Sequence, residues 1–181
     1  MTSEQNEILG IDPGLGGALA FLHADGALEI FDMPVHRLNR GGEAKREIDR
    51  YELARLVDAH VPIAHAFVEQ VGAMPGQGVT SMFQFGRSLG IVEGVLSAGF
   101  IPTDYVAPRK WRSGLGVRAG KDGSRARASA LMPAHAGLWT RVKDSGRAEA
   151  ALIALYGQRH LATGFGVTVA PVGPRKHGER Q

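Results

Sequence analysis

The chain contains no cysteine, which excludes thiol catalysis, thiolate metal sites and disulfide stapling, and suits a reducing compartment. It also lacks any apolar run near the roughly 18 residues that a membrane span needs. Its opening residues, Met1 to Asn6, are polar and short, unlike a signal segment, so the expected setting is cytoplasmic. Negative charge is scarce in one region in particular. From Pro108 to Arg147 ten Lys or Arg stand against two acids, Asp122 and Asp144, although the net charge of the whole chain is only +3. That distribution marks an anion-binding region within a near-neutral protein.

What is present suffices for a core: 181 residues, 44% of them hydrophobic, point to one domain. We expect it to span residues 1–170, with a basic, disordered tail over 171–181. The organising stretch is Glu7 to Phe21. Ile8, Leu9 and Ile11 form a short buried strand with Asp12 at its end, and the glycines at 14, 16 and 17 turn the chain back into a second apolar run. An Asp-Pro-Gly turn between two hairpin strands would look the same. In an α/β sheet, however, the carboxyl ends of strands are where ligands gather, so other acids arriving there would change its meaning.

A third strand is expected over Ala27 to Met33, after the turn His23-Ala24-Asp25-Gly26. Pro34 to Glu47 reads as a mobile polar loop. Asp49 with Glu52 predicts a capped helix reaching about His60. Ile63 to Val68 is short and continuously apolar, hence a strand buried on both faces, and it ends in Glu69. Apolar residues at 82, 83, 85, 89, 92, 95 and 96 predict a long helix from Val79 to Gly99, followed by a strand from Ile101 to Val106. In the basic stretch, Trp111 between Arg109, Lys110 and Arg112 suits either a stacked base or a covered core edge. Lys121, Arg125 and Arg127 open a helix against its own dipole, which a phosphate partner would explain. The last helix starts at Asp144 and stops near Gly157 or a little later. Within it Glu149 shares the apolar face of Leu152, Ile153 and Tyr156. A carboxylate on an inner face is a metal-ligand candidate, or one half of a buried pair with an arginine.

Asp12, Glu69 and Glu149 thus sit on a first strand, a strand after the first helix and a late helix. With this spacing the sequence resembles the RuvC-type Holliday junction resolvases, through Ile11-Asp12-Pro13-Gly14, Phe67-Val68-Glu69-Gln70-Val71, Arg87-Ser88-Leu89-Gly90, Pro108-Arg109-Lys110-Trp111 with Lys121, and Ala148-Glu149-Ala150-Ala151-Leu152-Ile153-Ala154-Leu155. The resemblance covers roughly Ile8 to Gln158. It implies a ribonuclease-H-like α/β fold: a mixed five-stranded sheet, three strands antiparallel and then two parallel, flanked by helices. It implies a metal-dependent endonuclease that cuts four-way or branched DNA symmetrically. Asp12, Glu69 and Glu149 would hold Mg²⁺ or Mn²⁺, two ions about 4 Å apart, with Asp144 as a candidate fourth ligand. Lys110, Lys121 and Arg125, with Arg109 and Arg112, would hold DNA phosphates. A homodimer through the long helix is expected, and no membrane. The chain departs from the family in two places. Gly146 stands where a further acid or a His is usual, three residues before Glu149; and Gly72 stands where an aromatic usually follows the second acid, with Met74, Phe83 and Phe85 the nearest substitutes, read here as core. The alternatives are another ribonuclease-H-like nuclease, a small actin-like ATP phosphotransferase, which would need a second lobe, and a non-catalytic nucleic-acid-binding relative.

Overall fold

A computed structural model describes residues 7–40, 43–70, 72, 76, 78–120 and 122–163. Strands β1 (Glu7–Asp12), β2 (Ala18–Leu22) and β3 (Leu28–Asp32) open the fold, followed by β4 (Val35–Arg40) and β5 (Glu43–Ile48). Then come α1 (Arg50–Asp58), β6 (Ile63–Glu69), α2 (Val79–Ala98), β7 (Thr103–Val106), α3 (Pro108–Leu115) and α4 (Gly123–Leu131). Two 3₁₀ turns, Pro133–Trp139 and Val142–Asp144, lead into α5 (Ser145–Ala162). The main sheet has the order β3-β2-β1-β6-β7. β2 lies antiparallel between β1 and β3, while β6 is parallel to β1 and β7 to β6. This is the mixed five-stranded sheet expected from the sequence.

Pairing fixes the functional end of that sheet. Ala18 is opposite both Asp12 and Asp32, so these two acids share one rim, and the parallel β6 brings Glu69 to the same rim. The strand pleat sends Leu9, Ile11, Leu19, Phe21 and Val68 into a core covered by α1 and α2, and Ile8, Ala18, Ala20 and Phe67 into a second core under α3, α4 and α5. α5 lies directly on β1 because Gly10 has no side chain: a Cβ there would stand 2.2 Å from the Ala150 carbonyl oxygen and 2.4 Å from the Ala154 nitrogen. The Asp49 carboxylate accepts from the Tyr51 and Glu52 backbone amides at 3.1 Å and caps α1, a contribution of about 1 kcal/mol.

Three expectations are corrected. Pro34 to Glu47 is not a polar loop: β4 and β5 pair as a separate hairpin, with Val35 opposite Ile48 and Arg37 opposite Arg46, because the buried Ile48 and the half-buried Val35 seat its base in the α1/α2 core. On α2, burial begins only at Ser88 and continues at Val92 and Leu96, so Phe83, read as core, is 69% exposed, and Met82 and Val79 are exposed with it. Arg125, whose charge stands at the start of α4, has local partners that the phosphate explanation left out. Its guanidinium donates to the Thr140 carbonyl and pairs with Asp122, which stands at the helix start and offsets the charge. The 171–181 tail lies outside the described residues.

Candidate active site

Asp12 ends β1 with one carboxylate oxygen accepting from the Gly14 amide at 3.2 Å. Glu69 ends β6 and is buried; its Oε1 accepts from the Trp111 indole Nε1 at 3.0 Å. Trp111 is fully buried, so of its two sequence readings the covered core edge is the one observed, with the added task of steadying an acid. Glu149 projects from the second turn of α5 and accepts at one oxygen, Oε1, from Arg112 Nη2 at 2.5 Å and from Ser124 Oγ at 2.9 Å. The Arg112 guanidinium also lies 4.8 Å from the centre of the Trp111 ring. Two adjacent residues of α3 therefore grip two of the three acids. An arginine partner for Glu149 was one of its two sequence readings, but neither the identity of that arginine, nor the Trp111 bond to Glu69, nor the part of Ser124 is signalled by any spacing.

The charges of Glu69 and Glu149 reach Asp12. Burial, reinforced by the charges of Glu69 and Glu149, pushes Asp12 up to about 7, against the opposing pull of the Gly14 amide and Arg112. Burial also raises Glu69, with Glu149 adding to it and the Trp111 hydrogen bond opposing. Among the described residues, though, no three His, Asp or Glu side chains are grouped tightly enough to hold an ion between them. The contacts above account for that: Trp111 and Arg112 hold Glu69 and Glu149 to α3. The donor set nonetheless fits a hard divalent cation. Its donors are carboxylate oxygens; burial, the main cause of the upward shifts at Asp12 and Glu69, and the added charge of Glu149 would both be relieved by a cation, and Arg112 already opposes them with one positive charge.

Asp144 stands at the first position of α5 without capping it. Its carboxylate accepts from the Arg141 amide at 2.9 Å and from the Arg141 guanidinium at 2.8 Å, bonds that hold it down at about 2. Its oxygens are thus spent on Arg141, and Arg147 beside it is paired with Asp32 at 2.6 Å. The missing side chain at Gly146 has a steric reason. A Cβ there would lie 2.4 Å from the Gly16 carbonyl oxygen and 3.2 Å from Asp12 Oδ2, so the loop after β1 fills the place an acid would occupy. Of the expected phosphate-binding cations, Arg109 and Lys110 are exposed on α3, Arg112 is turned onto Glu149 and Arg125 is committed as described. Lys121 and Met74 lie outside the described residues.

No protein-family model matches the chain. It is 30% identical over 153 residues to the chloroplastic Holliday junction resolvase MOC1 of Chlamydomonas reinhardtii, covering 70% of this chain but 17% of that much longer protein. Among solved structures it is similar to Thermus thermophilus RuvC in complex with a Holliday junction substrate, with a TM-score of 0.59, 16% identity and coverage of 87% of this chain and 96% of that one. It is likewise similar to the yeast mitochondrial Holliday junction resolvase Ydc2, with a TM-score of 0.55, 15% identity and coverage of 86% and 78%. The fold carrying these acids is that of the RuvC-type resolvases, the ribonuclease-H-like architecture implied by the sequence.

Proposed function

We propose that this protein is a structure-selective endodeoxyribonuclease that resolves four-way DNA junctions by metal-dependent hydrolysis of phosphodiesters at symmetric positions. One observation carries the reading: Asp12 and Glu69, 57 residues apart in sequence, end neighbouring parallel strands of a RuvC-like sheet, and Glu149, a further 80 residues on, stands on α5 close enough for its charge to add to the upward shift of both. Asp12, Glu69 and Glu149 would hold the divalent cation or cations, two on the reading of the sequence. When bound, Mg²⁺ or Mn²⁺ supplies an activated water and positive charge for the leaving 3′ oxygen. The chain's own residues do the rest. Trp111 and Ser124 hold Glu69 and Glu149 in place, and Arg109 and Lys110, with Lys121, bind flanking phosphates without reading sequence. Glu149 would need to be released by Arg112, which holds its Oε1, before that oxygen could serve a cation.

Two cuts on opposite strands call for two copies. The exposed Val79, Met82 and Phe83 form an apolar face on α2, where Gly86, Gly90 and Gly94 leave room for close approach, and this face suits a homodimer. No helix among the described residues is long and apolar enough to cross a membrane, and the cytoplasm is the compartment proposed from the sequence. The test is incubation with a labelled four-way junction, a linear duplex and an RNA·DNA hybrid, with Mg²⁺ or with EDTA. Paired, metal-dependent nicks in the junction alone are expected, whereas preference for the hybrid would move the protein to the ribonucleases H. Asp144→Asn is expected to retain cutting while lowering thermal stability, and Glu149→Gln to abolish cutting. Equal loss in both would restore Asp144 to the ligand set.

A further inference from the structure

The β4–β5 hairpin carries charge that its own stability does not explain. Arg37 and Arg46 stand directly opposite each other across the two strands, a like-charge pair that disfavours the pairing it sits on. Both are exposed, and neither has an acidic partner among the described residues. Three acids near them along the chain are engaged elsewhere: Asp32 pairs with Arg147, Glu47 with Arg87 of α2 at 2.5 Å, and Asp49 caps α1 beside His36. Meanwhile Arg46 Nη2 donates to the Leu15 carbonyl at 3.0 Å, which latches the hairpin to the loop that follows Asp12.

Topology gives this pair a direction. The hairpin leaves β3 at Asp32, on the rim that holds Asp12 and Glu69, from the sheet edge opposite β7 and α3. Its base packs in the α1/α2 core, whereas α3, which carries the exposed Arg109 and Lys110 and follows β7, packs in the α5 core. The two cation-bearing elements therefore stand at opposite edges and on opposite faces of the sheet. We infer that the Arg37/Arg46 face of the β4–β5 hairpin is a second DNA-backbone contact, gripping phosphates of a junction arm on the side of the rim away from α3. The inference deepens the nuclease reading and rests on it.

The test is junction binding in EDTA across a salt series, with wild type, Arg37→Gln, Arg37→Gln/Arg46→Gln and, as a charge-loss control on the other hairpin face, Lys45→Gln. Each lost phosphate contact should flatten the log–log salt dependence by about 0.9, so the double variant should lose roughly two units of slope and about tenfold or more in affinity at low salt. Melting temperature guards against misfolding, and Arg37→Gln alone, which removes no hydrogen bond present among the described residues, still reads the contact if the double variant unfolds. Unchanged affinity and slope in Arg37→Gln would overturn the inference, as would an equal effect from Lys45→Gln, which would mean bulk charge and not a contact face. Failure of the wild type to prefer a junction over linear duplex would instead bring down the nuclease reading beneath it.

Discussion

Asp12 keeps its proton to about 7 because burial outweighs the Gly14 amide and Arg112, with Glu69 and Glu149 adding to the shift. In the unfolded chain the same carboxyl ionises near pH 3.9. Between those values the folded protein holds a proton that the unfolded one has lost, so this group makes stability fall as pH rises, and above 7 its full cost is present. Asp12→Asn is therefore expected to stabilise the protein in EDTA at pH 8 by roughly 2 to 4 kcal/mol, with the gain shrinking toward pH 4, while abolishing cleavage. Denaturant melts at the two pH values check it, and equal gains at both would remove Asp12 from its buried cluster. Arg112 is the matching cation. Since it occupies Glu149 Oε1, Arg112→Gln should tighten Mn²⁺ binding to the DNA-free protein by about tenfold, or 1.4 kcal/mol, read by the relaxation of water protons around Mn²⁺. Weaker binding would mean that the guanidinium helps to shape the site instead of blocking it.

At the scale of elements, the contact of α5 with β1 sets the distance between Glu149 and Asp12, and it rests on missing side chains at Gly10 and Gly146. Gly146→Asp should not rebuild a fourth ligand. The new side chain would meet the Gly16 carbonyl, so a loss of roughly 1–3 kcal/mol and slower cutting are expected, and a variant that binds metal more tightly at wild-type stability would contradict this. Such close approaches are legible in sequence only as unexplained glycines. The strands were more readable, because Ile8-Leu9 and Phe67-Val68 are apolar runs that end abruptly in an acid, and β-pairing then gathers those acids on one rim. The β4–β5 hairpin was misread although Gly41-Gly42 between two strand-length runs is a hairpin signal; its polar residues masked the alternation, and only Ile48 and Val35 betray its seat. The inward turn of Arg112 was not readable at all, because it depends on where α3 stands relative to α5. Trp111 was half readable: its burial was one of two open options, its hydrogen bond to Glu69 neither.

For the molecule as a whole, the exposed turn of α2 with Val79, Met82 and Phe83 is the feature a monomer would not retain. Phe83→Asp is expected to shift the protein to monomer in sedimentation at micromolar concentration, and to uncouple the two nicks so that singly cut junctions accumulate. A wild type that sediments as a monomer would refute the dimer. A different consequence follows from the direction of α5. It starts beside Gly16 and Asp12 and runs down β1 past Gly10, so that Leu161 and Ala162 finish close to Ile8, at the foot of the strand whose head bears the acid. The first and last described residues thus depart from the same pole, the one opposite the cutting edge. A reporter protein or immobilising handle fused directly before residue 7 or directly after residue 163 would begin its path on that remote pole, leaving the acidic rim facing away from it.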